Sequence, residues 1–273
     1  MILIVASQKD PASLNIKKQL LINYPFTETP AIFQGNITYQ AQLNEKDIQL
    51  ITLEEELIYA EDLPEFFINP GLIVFISRHS SASGKPTLSV HTPGNLGPAE
   101  LGGKPRQVSI SPANAMREAL KTMAKMKDEM KLNYEVSYEA THHGPSLYAP
   151  TMFVELGSSP QQWSDATAAL AVAHAAINAA TNRNDSPEIA LGIGGPHYNS
   201  KFTKIALETN IAFGHIIPKY AISHLDENIL QQCIERTFGA VKTVVLDWKG
   251  IKGEDKPGIL DLLNEQKLHV QKV

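Results

Sequence analysis

The sequence predicts a mixed α/β protein in which a largely central β-sheet is flanked by helices. Segments typical of strands alternate with segments typical of helices, and three helix candidates begin with a capping side chain followed by proline. Several strand candidates are continuous apolar runs, such as residues 72–76, which are typical of strands covered on both faces. We therefore expect a single α/β domain over residues 1–273.

The helix predictions rest on the first residues of each helix. Three dipeptides pair a capping side chain with proline: Asp10-Pro11, Ser111-Pro112 and Ser159-Pro160. The oxygen accepts an otherwise unpaired backbone N–H, and the missing N–H of proline costs nothing at the first helical position. Asp226, with Ser223, is a further capping candidate. The predicted helices cover residues 11–22, 112–131, 160–181, 226–237 and 258–266.

The strand predictions rest on apolar runs and on alternation. The predicted strands cover residues 2–6, 48–53, 72–77, 88–91, 107–110, 134–140, 151–156, 188–193, 211–217 and 241–246. The segment 134–140 alternates between polar and apolar residues, so we expect it at an edge of the sheet.

Composition and charge exclude several classes of protein. The net charge of −5 gives no general positive field, so any RNA contact must use a local patch. No segment approaches the roughly 20 apolar residues that a membrane span needs, and the first residues are too short an apolar run for a signal peptide. The single cysteine, Cys233, excludes an internal disulfide and fits the reducing cytoplasm.

Histidines gather where predicted strands end. Five of the nine lie within two residues of a glycine or proline: His91, His142, His143, His197 and His215. A sixth, His79, ends an apolar run and begins a polar loop. Loops on a rigid scaffold present side chains to substrates, and imidazoles there serve proton transfer or metal binding. We expect these segments to converge on one hydrolytic site.

Three residues are the candidates for activating water. His142 and His143 follow a strand, and Gly144-Pro145 supplies the turn that lets adjacent side chains reach one centre. Glu155 is the one carboxylate of an apolar strand, so it needs a buried partner such as an imidazole or a metal. We expect Glu155 to orient a histidine, to bind a metal or to act as a general base.

The turn after the strand at 188–193 is a candidate for binding an anion. Gly194 and Gly195 allow backbone N–H groups to approach a ligand closely, as the oxyanion of an acyl transfer requires. His197 and Tyr198 project from the same turn, and Tyr198 is a candidate for substrate contact.

Charged side chains in two loops are the candidates for binding phosphate. Arg78 and Lys85 lie in the polar loop 77–86, and Lys219 lies beyond Pro218. Cationic groups of this kind pair with the phosphates of RNA. No serine lies in a G-x-S-x-G turn, so a serine triad has no support.

A metal would need ligands from separate segments, because the chain has no H-E-x-x-H and no C-x-x-C motif. His79, His197 and His215 are the candidate ligands, although His215 lies inside a strand and also fits the core. Three imidazoles, or two with Glu155, would make an open catalytic zinc site.

Six ordered segments together resemble the archaeal and plant type of D-aminoacyl-tRNA deacylase. They are residues 77–86, 88–95, 141–145, 153–159, 192–198 and 213–220. The resemblance implies a fold similar to peptidyl-tRNA hydrolase and nucleoside phosphorylases and a dependence on zinc. From the residues themselves we expect a cytoplasmic enzyme with no membrane contact and no obligate protein partner. Its substrate would be the acceptor end of a tRNA that carries a D-amino acid, and the ester bond would be hydrolysed. One departure is Pro196, which stands where the family pattern leads us to expect a third glycine.

Other functions remain compatible with the residues alone. A nucleoside phosphorylase or nucleosidase would also use the glycine turn, and would differ by needing phosphate or by cleaving nucleosides. A non-catalytic module that binds the end of tRNA would tolerate the loss of His142 or His143. A zinc peptide amidase would cleave N-blocked peptides without tRNA.

Overall fold

The computed structural model describes residues 1–67, 69–182 and 186–273, and within them the mixed α/β class is confirmed. Eight strands form the main sheet in the order β2-β3-β4-β1-β5-β10-β6-β9. Their bounds are β1 Ile2–Ser7, β2 Thr27–Phe33, β3 Asn36–Leu43, β4 Lys46–Leu53, β5 Leu72–Ser80, β6 Thr87–His91, β9 Glu135–Tyr138 and β10 Thr151–Ser158. The strands β1, β4, β5 and β10 pair in parallel, whereas β6 runs antiparallel to β10.

A second sheet has four strands in the order β12-β11-β13-β14, all parallel. These strands are β11 Glu188–Ile193, β12 Ile211–Ile217, β13 Val241–Leu246 and β14 His269–Lys272. Strands β7 Gly94–Asn95 and β8 Gln107–Val108 pair with each other and close the loop that joins them. The helices are α1 Pro11–Asn23, α2 Leu63–Phe66, α3 Ala113–Glu129, α4 Pro160–Trp163, α5 Ala166–Thr181, α6 Ser200–Glu208, α7 Glu227–Glu235 and α8 Lys256–Glu265.

The two faces of the main sheet have different partners. Helices α1, α3 and α5 cover the face that carries Ile4 and Val74. The opposite face carries Phe75 and Phe153, whose rings stack with centroids 4.7 Å apart in a smaller apolar cluster. Because alternate strand residues share a face, the second face continues along β5 and β10 toward Glu155. The smaller cluster therefore lies on the same face of the sheet as Glu155 and directly beside it.

One face of the second sheet packs into the same hydrophobic cluster as the main sheet. Buried residues of both sheets, among them Val74 and Phe213, belong to the same cluster. Helix α6 makes the central contact: its Phe202 ring lies 4.7 Å from Phe213. Gly192 makes room for that ring, since a Cβ there would stand 2.6 Å from Phe202.

Most predicted elements are confirmed, and β9 lies at the sheet edge as expected. The predicted helix 160–181 is wrong as a single element, because Asp165 caps a new helix by accepting N–H groups of Thr167 and Ala168. Ser111 does not cap α3, which begins one residue later than predicted, at Ala113. The structure also contains β2, β3, α6 and β14, which the sequence analysis missed. No helix of the described ranges is both long and apolar enough to cross a membrane.

Substitution of Phe202 tests the core between the sheets. Phe202→Ala should lower the free energy of unfolding by about 3–5 kcal/mol, because a fully buried aromatic ring leaves a cavity. Urea denaturation followed by circular dichroism measures the change. The control is Phe238→Ala, whose ring is 62% exposed and whose loss should change stability by less than about 0.5 kcal/mol. Equal midpoints for the two variants would contradict the assigned packing.

Candidate active site

Register in the main sheet brings Glu155, His79 and His91 to one place. Glu155 pairs with Ser77 of β5 on one side and with Ser89 of β6 on the other. His79 and His91 lie two residues farther along β5 and β6, so they share the face of Glu155. His79 lies beside Gly157 and His91 beside Phe153, so the two imidazoles flank Glu155 on one face of the sheet.

Glycine at position 157 lets His79 lie close against β10. A Cβ at Gly157 would stand 2.5 Å from the Cβ of His79 and 2.6 Å from its carbonyl oxygen. No larger residue fits this contact without moving the backbone. The pairing of Gly157 with His79 thus holds the imidazole at the sheet surface.

The segment that follows β9 turns His142 and His143 toward the same place. The Thr141 N–H donates to Ile216 O at 2.9 Å, which anchors the segment to the second sheet. His143 then adopts a φ of 44°, and the chain turns at Gly144-Pro145. The turn expected from the sequence is confirmed, and both imidazoles reach one centre.

Three imidazoles form a group that can hold a metal: His91, His142 and His143. Each has its Nδ1 near a backbone carbonyl, at 3.3 Å from Thr92 O for His91, 2.8 Å from Ala140 O for His142 and 2.6 Å from Gly144 O for His143. This arrangement leaves the Nε2 atoms for a metal or a proton, since a backbone partner at one nitrogen fixes the tautomer. Each residue offers a ligand atom, and these atoms lie within 4.8 Å of one another.

The ring of Phe153 supports two of these imidazoles. It stacks under His91 with centroids 5.1 Å apart and meets His143 edge-on at 4.9 Å. The Nε2 of His91 is buried without a hydrogen-bond partner and lies 3.6 Å from Glu155 Oε1. A buried polar atom without a partner is costly, so its lone pair or proton is available to a ligand.

Two buried carboxylates hold His79 between them. Its Nδ1 lies 3.1 Å from Glu139 Oε1 and 3.4 Å from Glu155 Oε2. Burial alone lowers the pKa of His79, but the charges of Glu139 and Glu155 outweigh it and raise that pKa to about 11. His79 is therefore an imidazolium at neutral pH, and its Nε2–H donates to the Tyr198 hydroxyl at 2.9 Å.

Both carboxylates are ionised for the same reason. Burial raises the pKa of Glu155, yet the neighbouring imidazoles of His79 and His91 bring it down to about 2. Burial likewise raises the pKa of Glu139, but His79 and His197 hold it well below its usual range. Ser77 adds a hydroxyl hydrogen bond to Glu155 Oε1 at 2.7 Å. Glu139 accepts a hydrogen bond from His197 Nε2 at 2.9 Å.

The His142 and His143 rings are neutral, in contrast to His79. Burial and the neighbouring imidazoles hold the pKa of His142 well below its usual range. Burial and His91 lower the pKa of His143 to about 4. Neutral imidazoles are the form that binds metals and accepts protons.

Glu139 is absent from the candidates drawn from the sequence, and His91 is grouped there with the converging histidines but given no specific role. Glu139 contacts His79, His142 and His197, and His91 completes the three-histidine group. The signal for Glu139 is a carboxylate at the end of the predicted strand 134–140, which precedes T-H-H-G-P. His91 shows the same sequence context as the other histidines, at a strand end before Thr92-Pro93.

The structure keeps His215 apart from the cluster. Its Nδ1 lies 3.2 Å from Thr141 Oγ1 and its Nε2 lies 3.1 Å from Arg236 O. It is fully buried, and it belongs to none of the ligand groups found among the described residues. The structure therefore does not support the expected ligand role of His215, because both of its ring nitrogens already have protein partners.

The glycine turn does not face the cluster either. The Gly194 N–H donates to Ile217 O at 2.8 Å, so it is already used inside the second sheet. A Cβ at Gly195 would meet Asn199 and a carboxylate oxygen of Asp247, which is a poor setting for an oxyanion. The expected anion site is thus not supported at these glycines.

The candidate cations lie in three different settings. Arg78 lines the cavity of the cluster, but its guanidinium is paired with Glu56 at 2.9 Å and stacks near Trp163. Lys85 is exposed on the outer side and pairs with Glu135 at the sheet edge. Lys219 is exposed, and its backbone N–H donates to Gly195 O beside Tyr220. The tRNA-binding candidates therefore do not form one patch.

Comparison with known proteins identifies what this chain is similar to. The family model described as D-aminoacyl-tRNA deacylase matches residues 66–271. A D-aminoacyl-tRNA deacylase of Pyrococcus furiosus is 40% identical over 268 residues, covering 96% of each chain. That of Thermococcus kodakarensis is 41% identical over 260 residues, covering 93% of each.

A solved structure described as a conserved protein of unknown function matches with a TM-score of 0.89 at 32% identity, covering 100% of this chain and 95% of that one. A nucleosidase from Campylobacter jejuni aligns at 11% identity over 66% of this chain and 99% of that one, and its TM-score of 0.44 supports no argument. The matches over nearly the full length, together with the family model, establish that this chain belongs to the D-aminoacyl-tRNA deacylase family.

Proposed function

We propose that this protein hydrolyses the ester bond between a D-amino acid and the 3′ ribose of tRNA, releasing the free amino acid and the tRNA. The observation that carries the proposal is the convergence of His91, His142 and His143 beside two ionised carboxylates. Ester hydrolysis needs an activated water, a donor for the oxyanion and a proton for the leaving oxygen. Family membership supports this reaction over a phosphorylase, a peptide amidase or a non-catalytic tRNA-binding module.

The three histidines fit zinc. Zinc prefers imidazole nitrogen, and three protein ligands with an open fourth position are typical of its catalytic sites. His142 and His143 are neutral, and all three rings present Nε2. Burial lowers the pKa of His91 but Glu155 outweighs it and raises that pKa, so His91 would release a proton to bind the metal at its unpartnered Nε2. Zinc bound there would lower the pKa of a coordinated water to about 7. His79 and His197 belong to two further groups that could hold a metal, each of which includes Glu139. We assign these two residues to other roles because their ring nitrogens already contact Glu139.

We assign stabilisation of the oxyanion to His79 acting with Tyr198. His79 carries a fixed positive charge, and its Nε2–H donates to the Tyr198 hydroxyl at 2.9 Å. Both residues line the cavity beside His142 and His143. The Tyr198 O–H is thereby left to donate into the cavity, where a charge-assisted bond to the oxyanion is stronger than a neutral one.

Glu139, His197 and Tyr220 form a second chain of hydrogen bonds at the cavity. His197 Nε2 contacts Glu139 Oε2 at 2.9 Å, and His197 Nδ1 contacts the Tyr220 hydroxyl at 2.9 Å. We assign to this chain the delivery of a proton to the leaving ribose oxygen. The acceptor end of tRNA is the proposed partner, and the cytoplasm, where aminoacyl-tRNA is made and used, is the proposed location.

Loss of the cluster should abolish hydrolysis without abolishing tRNA binding. His143→Ala should lower kcat/KM for D-aminoacyl-tRNA by about 10²–10⁴-fold, because it removes a neutral imidazole from the water-activating group. Release of radiolabelled amino acid measures the rate, and filter binding measures affinity for tRNA. His269→Ala, on the exposed strand β14, is the matched control and should keep full activity. A His143→Ala enzyme as active as that control would remove His143 from the mechanism.

Removal of metal should abolish the activity and leave the fold intact. Dialysis against a chelator should release zinc, measured by elemental analysis, and should abolish hydrolysis while the circular dichroism spectrum stays unchanged. Added zinc should restore the rate. His91→Ala should purify with less zinc than wild type, because it deletes one of three ligands. Full activity in protein shown to be free of metal would refute the zinc assignment.

Ring NMR of His79 tests the charge that we assign to it. With its pKa raised to about 11, the His79 ring should stay protonated from pH 5 to beyond pH 9, as read from its nitrogen chemical shifts. Its contribution to stability is complete below the unfolded pKa of about 6.5 and is lost as the pH rises through 11. In Glu139→Gln the His79 pKa should fall, since one neighbouring charge is gone. Titration of the wild-type ring near pH 6.5 would contradict the role.

A further inference from the structure

Two cavities meet at the histidine pair. One of about 430 Å³ opens onto His142 and His143 from the side of Glu155, and another of about 330 Å³ opens onto the same two residues from the side of Tyr220. Leu101 also lines both cavities, so this exposed side chain stands at the boundary between them. A substrate whose reacting bond lies at His142 and His143 can therefore extend into two separate lobes.

The larger cavity, the acidic lobe, carries an excess of negative charge. Four carboxylates line it: Asp10, Glu56, Glu139 and Glu155. The fixed cations that line it are Arg78, which is paired with both oxygens of Glu56, and the imidazolium of His79. Zinc at the three histidines would offset part of this charge, whereas the carboxylates of Asp10 and Glu56 still repel phosphate and attract an ammonium group.

The smaller cavity, the Tyr220 lobe, has a different chemistry. Its lining includes the rings of Tyr220 and His224, the amide of Asn95 and one carboxylate, Glu100. Tyr220 is 58% exposed, so its ring is accessible to a stacking partner. Aromatic rings of this kind provide stacking surfaces for nucleobases.

Exposed lysines lie at the rim of the Tyr220 lobe. Lys219 directly precedes Tyr220, and Lys104 offers its carbonyl to Asn95 Nδ2 at 3.3 Å. Neither lysine has an ion pair among the described residues. We therefore expect the polyanionic body of a bound tRNA to extend from the site on this side and not through the acidic lobe.

We propose, given the deacylase activity proposed above, that the two lobes divide the substrate at its ester bond. The Tyr220 lobe takes the 3′-terminal nucleoside, with its base against Tyr220. The acidic lobe takes the aminoacyl group, whose α-ammonium faces the carboxylates. Leu101 lies between the two halves, so the amino acid and the nucleoside are recognised independently.

The test uses two product-like probes and measures their binding by titration calorimetry or NMR. Adenosine 5′-monophosphate represents the nucleoside half, and D-phenylalaninamide represents the aminoacyl half. Tyr220→Leu should weaken the nucleotide by about fivefold or more and leave the amide unchanged, because stacking is lost. Tyr220→Phe keeps the ring and should keep nucleotide binding.

Glu56→Gln should give the opposite pattern. The amide should bind about fivefold more weakly because one negative charge leaves the acidic lobe, while the nucleotide should bind as well as before or better. Glu135→Gln is the matched control, because Glu135 is exposed and pairs with Lys85 outside both lobes. Each variant is checked for folding by circular dichroism.

The outcomes distinguish this inference from the proposed activity. Reversed effects, equal effects of both variants on both probes, or no binding of either probe to the wild type would overturn the division into lobes. Wild-type protein that releases no amino acid from D-aminoacyl-tRNA would instead overturn the proposed function. An active wild type with probe affinities that respond as stated supports both.

Discussion

The cluster depends on the burial of Glu139 and Glu155 on either side of one imidazole. Two buried carboxylates would each be costly to ionise alone, and His79 compensates both at 3.1 Å and 3.4 Å. The pair in turn keeps His79 charged, so the three residues are stable only together. Because His79 is packed against Gly157 and bonded to Tyr198, this triad also positions the cavity wall.

The same low-dielectric setting produces opposite charge states in neighbouring histidines. His79 lies between carboxylates and is an imidazolium, whereas His142 and His143 lie among other imidazoles and are neutral. A site of this kind offers a fixed positive charge and neutral nitrogen ligands within one cavity. Ester hydrolysis needs both, since water must be activated where the oxyanion is also stabilised.

Local sequence patterns predicted the elements that carry apolar runs or capping residues. The apolar run 72–76 predicted a strand covered on both faces, and the structure has β5 over Leu72–Ser80. The pair Asp10-Pro11 predicted a capped helix, and the Asp10 side chain accepts the Ser13 N–H. The hairpin of β2 and β3 was missed because most of its residues are exposed and carry little periodic pattern. Helix α6 was missed because its nine residues give only a short apolar pattern, although Asn199 caps it by accepting the Phe202 N–H.

For the candidate site, the sequence by itself determined which residue types gather at strand ends, and it singled out His142, His143, His79 and Glu155. Only the tertiary structure decided their partners, because register in the sheet and the turn after β9 set distances that spacing does not encode. It added Glu139 to the cluster, grouped His91 with His142 and His143, and kept His215 and the Gly194-Gly195 turn out of it. The physical reason is that buried charges and imidazole protonation depend on neighbours brought from separate segments.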